Sequence, residues 1–352
     1  VVIVNFGFQK SPVIENSECK IYNVIIQGSK ILESVKEFRK ISKIEQPDVY
    51  HSFCTLSYFF VRSLSLITPL KYILTKCGGP NPKRFFPYSR YLILYSQENF
   101  DYFREKRKFA KSNLVVIPNR VSKPETDVDR ISDLKESLNL KESEVIFLRI
   151  GRITGHYKST IIQAINLVHS LNNQGHHCKL ILVGSIQDQA LYNILNTENK
   201  DFISIISNEK YTTNASKLAD IADYIIGTGR SLMEGAALKK ILLTPNSGSK
   251  FPVLVNEKNA DQLIASNFSP RNTIYVNDAE TLLALDELLD DREAIANSQE
   301  FSYQLFKKHF DINEKIDSYL ELYKNIEKCK SKFSLDYIFQ LIFLKYYVRR
   351  FN

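Results

Sequence analysis

Cysteine is scarce and scattered in this sequence. Cys19, Cys54, Cys77, Cys178 and Cys329 make five, an odd number, with no C-x-x-C pair. That pattern excludes a disulfide framework and a cysteine-built zinc site, and it fits a reducing, cytosolic compartment. No run approaches the ~18 consecutive apolar residues of a membrane span. No basic start, apolar stretch and small-residue cleavage site marks a secretory leader. No nucleic-acid module motif appears, so nucleic acid is not an expected partner. His156, His169, His176, His177 and His309 lack metal-ligand spacing, and His156 stands close to Lys158. No metal site and no bound cofactor are expected.

What remains is a soluble globular composition: 352 residues, 44% apolar and 24% charged, long enough for two domains. The balance of 47 basic against 39 acidic side chains, a net +8, suits phosphorylated ligands or acidic lipid, or is simply a mildly basic surface. Strand and helix signals alternate. In the first third, strands are expected at 1–6, 22–26, 49–53, 70–75, 91–95 and 114–117, and helices at 30–44 and 97–108. Residues 121–144 are polar and carry Pro124, which sets a domain boundary. Beyond it, strands are expected at 145–150, 179–184, 202–206, 224–226 and 241–243, with an amphipathic helix at 159–173 and a helical pattern from 279 to about 330. The expected class is therefore α/β with parallel sheets. The expected division is 1–120, 121–300 and a C-terminal helical segment 301–352 that crosses back toward the first domain.

The most informative stretch is 221–249, IADYIIGTGRSLMEGAALKKILLTPNSGS. An apolar strand breaks at Gly227-Thr228-Gly229, a helix starts near Arg230 or Ser231, and a second apolar strand follows. This strand–turn–helix–strand unit puts backbone N–H groups and a helix N-terminus at the carboxyl edge of a sheet, where phosphate binds. Glu234, one turn into the helix, would repel phosphate but could accept hydrogen bonds from two ribose hydroxyls. A second constellation joins Gly151, Arg152 and Lys158: the glycine ends a strand, and the two cations arrive where the next helix starts. Arginine grips phosphate oxygens bidentately and lysine acts as a point charge. His51 follows the strand residues Val49 and Tyr50 and is either catalytic, ligand-positioning or packed in the core. Lys76, Gly78 and Gly79 form a basic glycine loop that either faces a reaction cleft or is a simple turn. Asp127-Val128-Asp129 has a D-x-D form but lies in the polar linker, and is read as incidental. The tail 333–352, FSLDYIFQLIFLKYYVRRFN, carries Lys345, Arg349 and Arg350 among aromatics. It either lies in a membrane interface or packs as a C-terminal helix.

Three stretches, LRIGRITGHYKSTIIQAINLV, KLILVGS and ADYIIGTGRSLMEGAALKK, resemble the donor-binding domain of family 4 glycosyltransferases of the GT-B fold. PDVYHSF and VIPNRV resemble weaker motifs of that family's first domain. The resemblance implies two facing Rossmann-like domains, the second holding a nucleoside diphosphate sugar. It implies that Arg152 and Lys158 bind the diphosphate and Glu234 the ribose, with Gly151, Gly229, Arg230 and Ser231 around them. It also implies a retaining, metal-independent transfer. The sequence departs from the family at Ile226, where a first glutamate is usual, and at Phe53, where a second histidine follows His51. Relative to the family, the first domain is expected to lack its first βα unit.

The expected activity is transfer of a sugar to a glycan or lipid-linked acceptor in surface polysaccharide synthesis (lipopolysaccharide or capsule), by a cytoplasmic protein on the inner face of the membrane. Arg152, Lys158 and His51 are the candidate catalytic groups. Two alternatives stay open, a non-catalytic partner subunit of the same fold and a sugar-nucleotide epimerase.

Overall fold

The computed structural model describes residues 1–7, 14, 17–26, 30–82, 85–197, 201–314 and 316–351; the side chains of Lys345, Arg349 and Arg350 lie outside the described ones. The chain divides into two compact units, one made of Val1–Ile117 with Asp317–Asn352, the other of Pro118–Ile316. Both are α/β with parallel sheets.

The first unit contains a parallel pair, β1 (Val2–Gly7) with β2 (Lys20–Ile25), and a four-stranded parallel sheet in chain order: β3 (Tyr50–Ser52), β4 (Tyr72–Lys76), β5 (Tyr91–Leu94) and β6 (Asn113–Val116). Every residue of β4 and β5 is buried, as expected of strands covered on both faces. The helix Thr55–Ser65 packs beside them, and Phe60 stacks on Phe6 of β1 at 4.4 Å. This helix is not anticipated by the sequence pattern. Residues 58–65 are all buried, among them the polar Arg62, Ser63 and Ser65, which break the apolar pattern in the sequence.

The chain returns to this unit through Leu70 and Cys329, which exchange backbone hydrogen bonds. The closing helix Leu335–Phe351 lies on Thr55–Ser65, with Tyr337 stacked on Phe59 at 5.2 Å. Arg62 is buried there and is fully engaged. Its Nη1 donates to Asp336 Oδ2 at 3.1 Å and to Gln340 Oε1 at 2.7 Å. Burial alone would raise the Asp336 carboxyl; hydrogen bonds from Ser334 and the Tyr88 N–H, with the charges of Arg62 and Lys108, hold it down to about 2.

The second unit is built on a six-stranded sheet in the order β12-β11-β10-β7-β8-β9. Here β7 is Val145–Ile150, β8 Cys178–Val183, β9 Ile203–Ile206, β10 Tyr224–Ile226, β11 Ile241–Thr244 and β12 Val253–Leu254. All neighbours pair parallel except β11 with β12. Alternate residues feed two cores. Ile146, Leu148 and Ile225 face one side with Leu232 and Met233; Phe147, Tyr224 and Ile226 face the other with Ile161 and Val168. The chain starts at β7, runs outward to β9, then crosses back to place β10 on the other side of β7. That reversal opens a crevice at the carboxyl ends of β7 and β10.

Gly184, just after β8, holds this edge in shape. A Cβ there would lie 2.0 Å from the Gly151 carbonyl oxygen, a backbone atom that cannot swing away. Gly184→Ala is therefore expected to lower stability by about 2–3 kcal/mol and to displace the loop after β7. Denaturant unfolding followed by a probe in the second unit checks this; an unchanged midpoint would contradict it.

Candidate nucleotide site

The crevice between β7 and β10 is a cavity of about 280 Å³. Its lining includes Arg149, Gly151, Arg152, Tyr157, Thr160, Ile226, Thr228, Arg230, Ser231 and Glu234. Of the residues expected from sequence, Gly151, Arg152, Arg230, Ser231 and Glu234 meet there. Lys158 and Gly229 do not line it, although both stand where helices begin beside it: Lys158 is the first residue of Lys158–Asn173, and Gly229 caps Arg230–Ala237.

Each local structure follows from its residues. β7 ends as Gly151 N–H donates to Val183 O at 2.9 Å, and a tight turn at Gly155–Tyr157 leads into the helix. On the other side β10 gives way to Gly229, whose φ of 51° is a conformation that disfavours side chains. Ser231 Oγ donates back to Thr228 O at 3.2 Å and tightens that turn. Neither helix has a side-chain cap on its first N–H groups, and neither has an acidic residue in its first turn. Two helix starts thus bring positive dipole ends to one edge, with the first N–H groups of Arg230–Ala237 uncapped, whereas the turn before Lys158–Asn173 already takes the Lys158 N–H, which donates to Gly155 O.

Glu234 is buried, and its Oε1 accepts from Arg230 Nε at 2.7 Å. Arg230 is mostly exposed, so this pair leaves the carboxylate anchored but reachable through its other oxygen. Ile226 is buried in β10 and presents only an apolar surface to the cavity.

The first unit holds the remaining candidates. His51 lies in the middle of β3 with both ring nitrogens occupied: Nδ1 with Tyr323 Oη and Nε2 with Thr75 Oγ1, each at 2.6 Å. Its ring stacks on Phe53, with centroids 4.1 Å apart. Lys76 ends β4, is buried, and donates to Gly78 O, to Gly79 O at 3.2 Å and to Asn99 Oδ1 at 3.1 Å. Gly78 and Gly79 both have positive φ, so the loop wraps around the ammonium. Asp127 caps the helix Val128–Ser137 by accepting from Arg130 N–H, a structural use for the D-x-D stretch.

No protein-family model matches the sequence, and no curated protein matches it. Solved structures do. A glycosyltransferase from Rickettsia africae superposes with a TM-score of 0.65 at 18% identity, covering 91% of this chain and 89% of that one. Anabaena HepE in complex with UDP and glucose gives 0.65 at 13%, covering 92% of each chain. WaaG, described as a glycosyltransferase involved in lipopolysaccharide biosynthesis, gives 0.55 at 11%, covering 92% of this chain and 100% of that one. The fold is that of GT-B glycosyltransferases.

Sequence reasoning missed three residues of the cavity in this GT-B fold: Arg149, Tyr157 and Thr160. Arg149 is buried inside β7, donates from Nη2 to Thr160 Oγ1 at 3.1 Å, and lies 5.6 Å from the Tyr157 ring centre. Burial pushes its guanidinium down to about 10, the nearby Tyr157 opposing that. The available signal was an arginine inside an otherwise apolar strand, VIFLRI.

His51 gives a pH test. Burial lowers it from 6.5 to about 4, so its neutral form contributes stability that is present above pH 6.5 and is lost as pH falls through 4. The loss is on the order of 3 kcal/mol. His51→Gln is expected to remove that part of the pH dependence in urea titrations. An identical pH profile in the variant would contradict the assignment.

Proposed function

We propose that the chain is a glycosyltransferase that takes a sugar from a nucleoside diphosphate sugar and passes it to a glycan or lipid-linked acceptor in surface polysaccharide synthesis. The observation that carries this reading is the β7/β10 cavity. Two helix starts without side-chain caps, Arg152 and the buried Glu234 share one sheet edge. In this reading Arg152 and Lys158 bind the diphosphate with the N–H groups around Gly151, Gly229, Arg230 and Ser231, and Glu234 accepts hydrogen bonds from the ribose. Transfer breaks the bond between the sugar's anomeric carbon and the phosphate oxygen, and the electron pair goes to the diphosphate. The acceptor hydroxyl oxygen forms the new bond to the anomeric carbon, and its proton passes to the departing diphosphate. Cations and N–H dipoles already in place stabilise the charge that builds on the leaving diphosphate. That division of labour calls for no metal ion, and the family resemblance implies retention at the anomeric carbon. The complexes of HepE with UDP and glucose support the choice of donor, and WaaG supports the polysaccharide setting.

Calorimetry with UDP, GDP and ADP tests the donor site. One of them is expected to bind in the micromolar range, and Arg152→Ala and Glu234→Ala are each expected to weaken it ~10–100-fold. A folded protein that binds none of the three contradicts the reading.

A second reading is favoured by His51 and Ile226. With both imidazole nitrogens held by hydroxyls and an apolar residue in place of a glutamate, the chain could bind donor without turning it over, as a partner subunit. Tight nucleotide-sugar binding with neither transfer nor hydrolysis points there.

The proposed acceptor brings in a membrane surface. No helix among the described residues is long and apolar enough to cross a bilayer. In the closing helix, however, Leu335, Phe339, Ile342, Phe343 and Tyr346 form one exposed stripe, while Tyr337, Gln340 and Leu344 are buried on the other side. Phe333 and the exposed Lys328, Lys330 and Lys332 precede it. Apolar rings with flanking cations suit the headgroup region of an anionic leaflet. Sedimentation with anionic vesicles should recover the protein, and a Phe339→Ser/Phe343→Ser variant should weaken recovery ~10-fold or more. Equal recovery of both proteins contradicts this placement.

A further inference from the structure

The β7/β10 cavity contains a charge that the two expected phosphate cations do not account for. Arg149 is only 5% exposed, yet no carboxylate is among the described groups that act on it. Its contacts are the single hydrogen bond to Thr160 Oγ1 and the ring of Tyr157, for a group with five N–H donors. Nη1 sits 3.4 Å from where a Cβ on Gly151 would be, so the guanidinium lies directly under the loop that opens the cavity. Arg152 leans on the same Tyr157 ring from 6.0 Å. The one carboxylate lining the cavity, Glu234, is already paired with Arg230. A buried guanidinium without a counter-ion is costly, and in folded proteins such a group is normally paired. Lys158 meanwhile does not line the cavity.

We propose that Arg149 is an anion-binding residue of this cavity, its guanidinium pairing with phosphate oxygens of a bound diphosphate alongside Arg152. The empty protein carries the cost of the unpaired charge, and the ligand relieves it. Arg149 therefore favours a diphosphate over a monophosphate, because only the longer anion satisfies both guanidiniums at once. Its fork geometry permits two parallel hydrogen bonds to one phosphate. Arg149 also supplies part of the fixed positive charge that the leaving group needs. The inference rests on the donor-site reading for the identity of the nucleotide, but not for the anion site itself.

The test separates the two. Arg149→Met and Arg149→Lys are compared with the unaltered protein for thermal stability with and without inorganic pyrophosphate. They are then compared for affinity toward the best-binding nucleoside diphosphate, its monophosphate and its nucleoside. Removing an unpaired buried cation should leave the ligand-free Arg149→Met protein as stable as the original or more so, whereas loss of a structural residue lowers the melting temperature. Pyrophosphate should stabilise the original protein and not Arg149→Met. Diphosphate affinity should fall ~10–100-fold in Arg149→Met, monophosphate affinity less, and nucleoside affinity not at all, with Arg149→Lys between. Uniform loss across the three ligands with a lower melting temperature overturns the proposal, as does unchanged diphosphate binding. Failure of pyrophosphate to stabilise the original protein also overturns it. If pyrophosphate acts through Arg149 but no nucleotide binds, the donor-site reading fails and the anion site stands.

Discussion

A parallel sheet that starts in its middle and grows first one way, then the other, leaves a gap at the carboxyl ends of the two strands where the direction changes. In the second unit those strands are β7 and β10. Much of the geometry of the candidate site depends on that constraint. Each of these strands is followed by a helix, so the reversal brings two helix starts to the same edge. Neither start is satisfied by its own side chains. Arg149 and Arg152 converge on Tyr157 at that edge, and the single lining carboxylate is tied to Arg230. In the proposed reading an anion completes this arrangement.

In the first unit three buried polar side chains are closed on protein partners, although Ser52 Oγ is buried without one. Lys76 is satisfied by the loop it anchors, His51 by two hydroxyls, and Arg62 by Asp336, Gln340 and Ser334. The His51 and Arg62 pairings reach Tyr323, Ser334, Asp336 and Gln340, and so tie the residues from 317 onward to the same unit as β3 and β4. Groups already satisfied in this way give shape to the sheet edge, whereas unsatisfied ones attract ligands. The contrast between Lys76 and Arg149, both buried cations, comes down to what each is offered: three oxygen acceptors in one case, a threonine hydroxyl and a ring in the other.

The parts of this molecule legible in the sequence are those written as local contrast. β7 and β10 stand out as apolar runs cut off by glycine, and the helix Lys158–Asn173 as an apolar stripe on a polar segment. Glu234 was legible as a carboxylate one turn into a helix that follows such a break. The helix Thr55–Ser65 was not, because its buried residues include Arg62, Ser63 and Ser65, polar side chains that an apolar pattern does not assign to a core. Arg149 was not, because a charge in a strand carries no meaning until its neighbours are known. Whether Lys76 faces a ligand or its own loop likewise depends on the left-handed backbone of Gly78 and Gly79, which is a property of the fold.

The most direct test of this account is a crystal structure of the protein with a bound nucleoside diphosphate. The account predicts phosphate oxygens at the N-termini of Lys158–Asn173 and Arg230–Ala237, within hydrogen-bond distance of Arg152 and Arg149, and ribose hydroxyls on Glu234. A nucleotide bound elsewhere, or phosphates turned away from both helix starts, would contradict it.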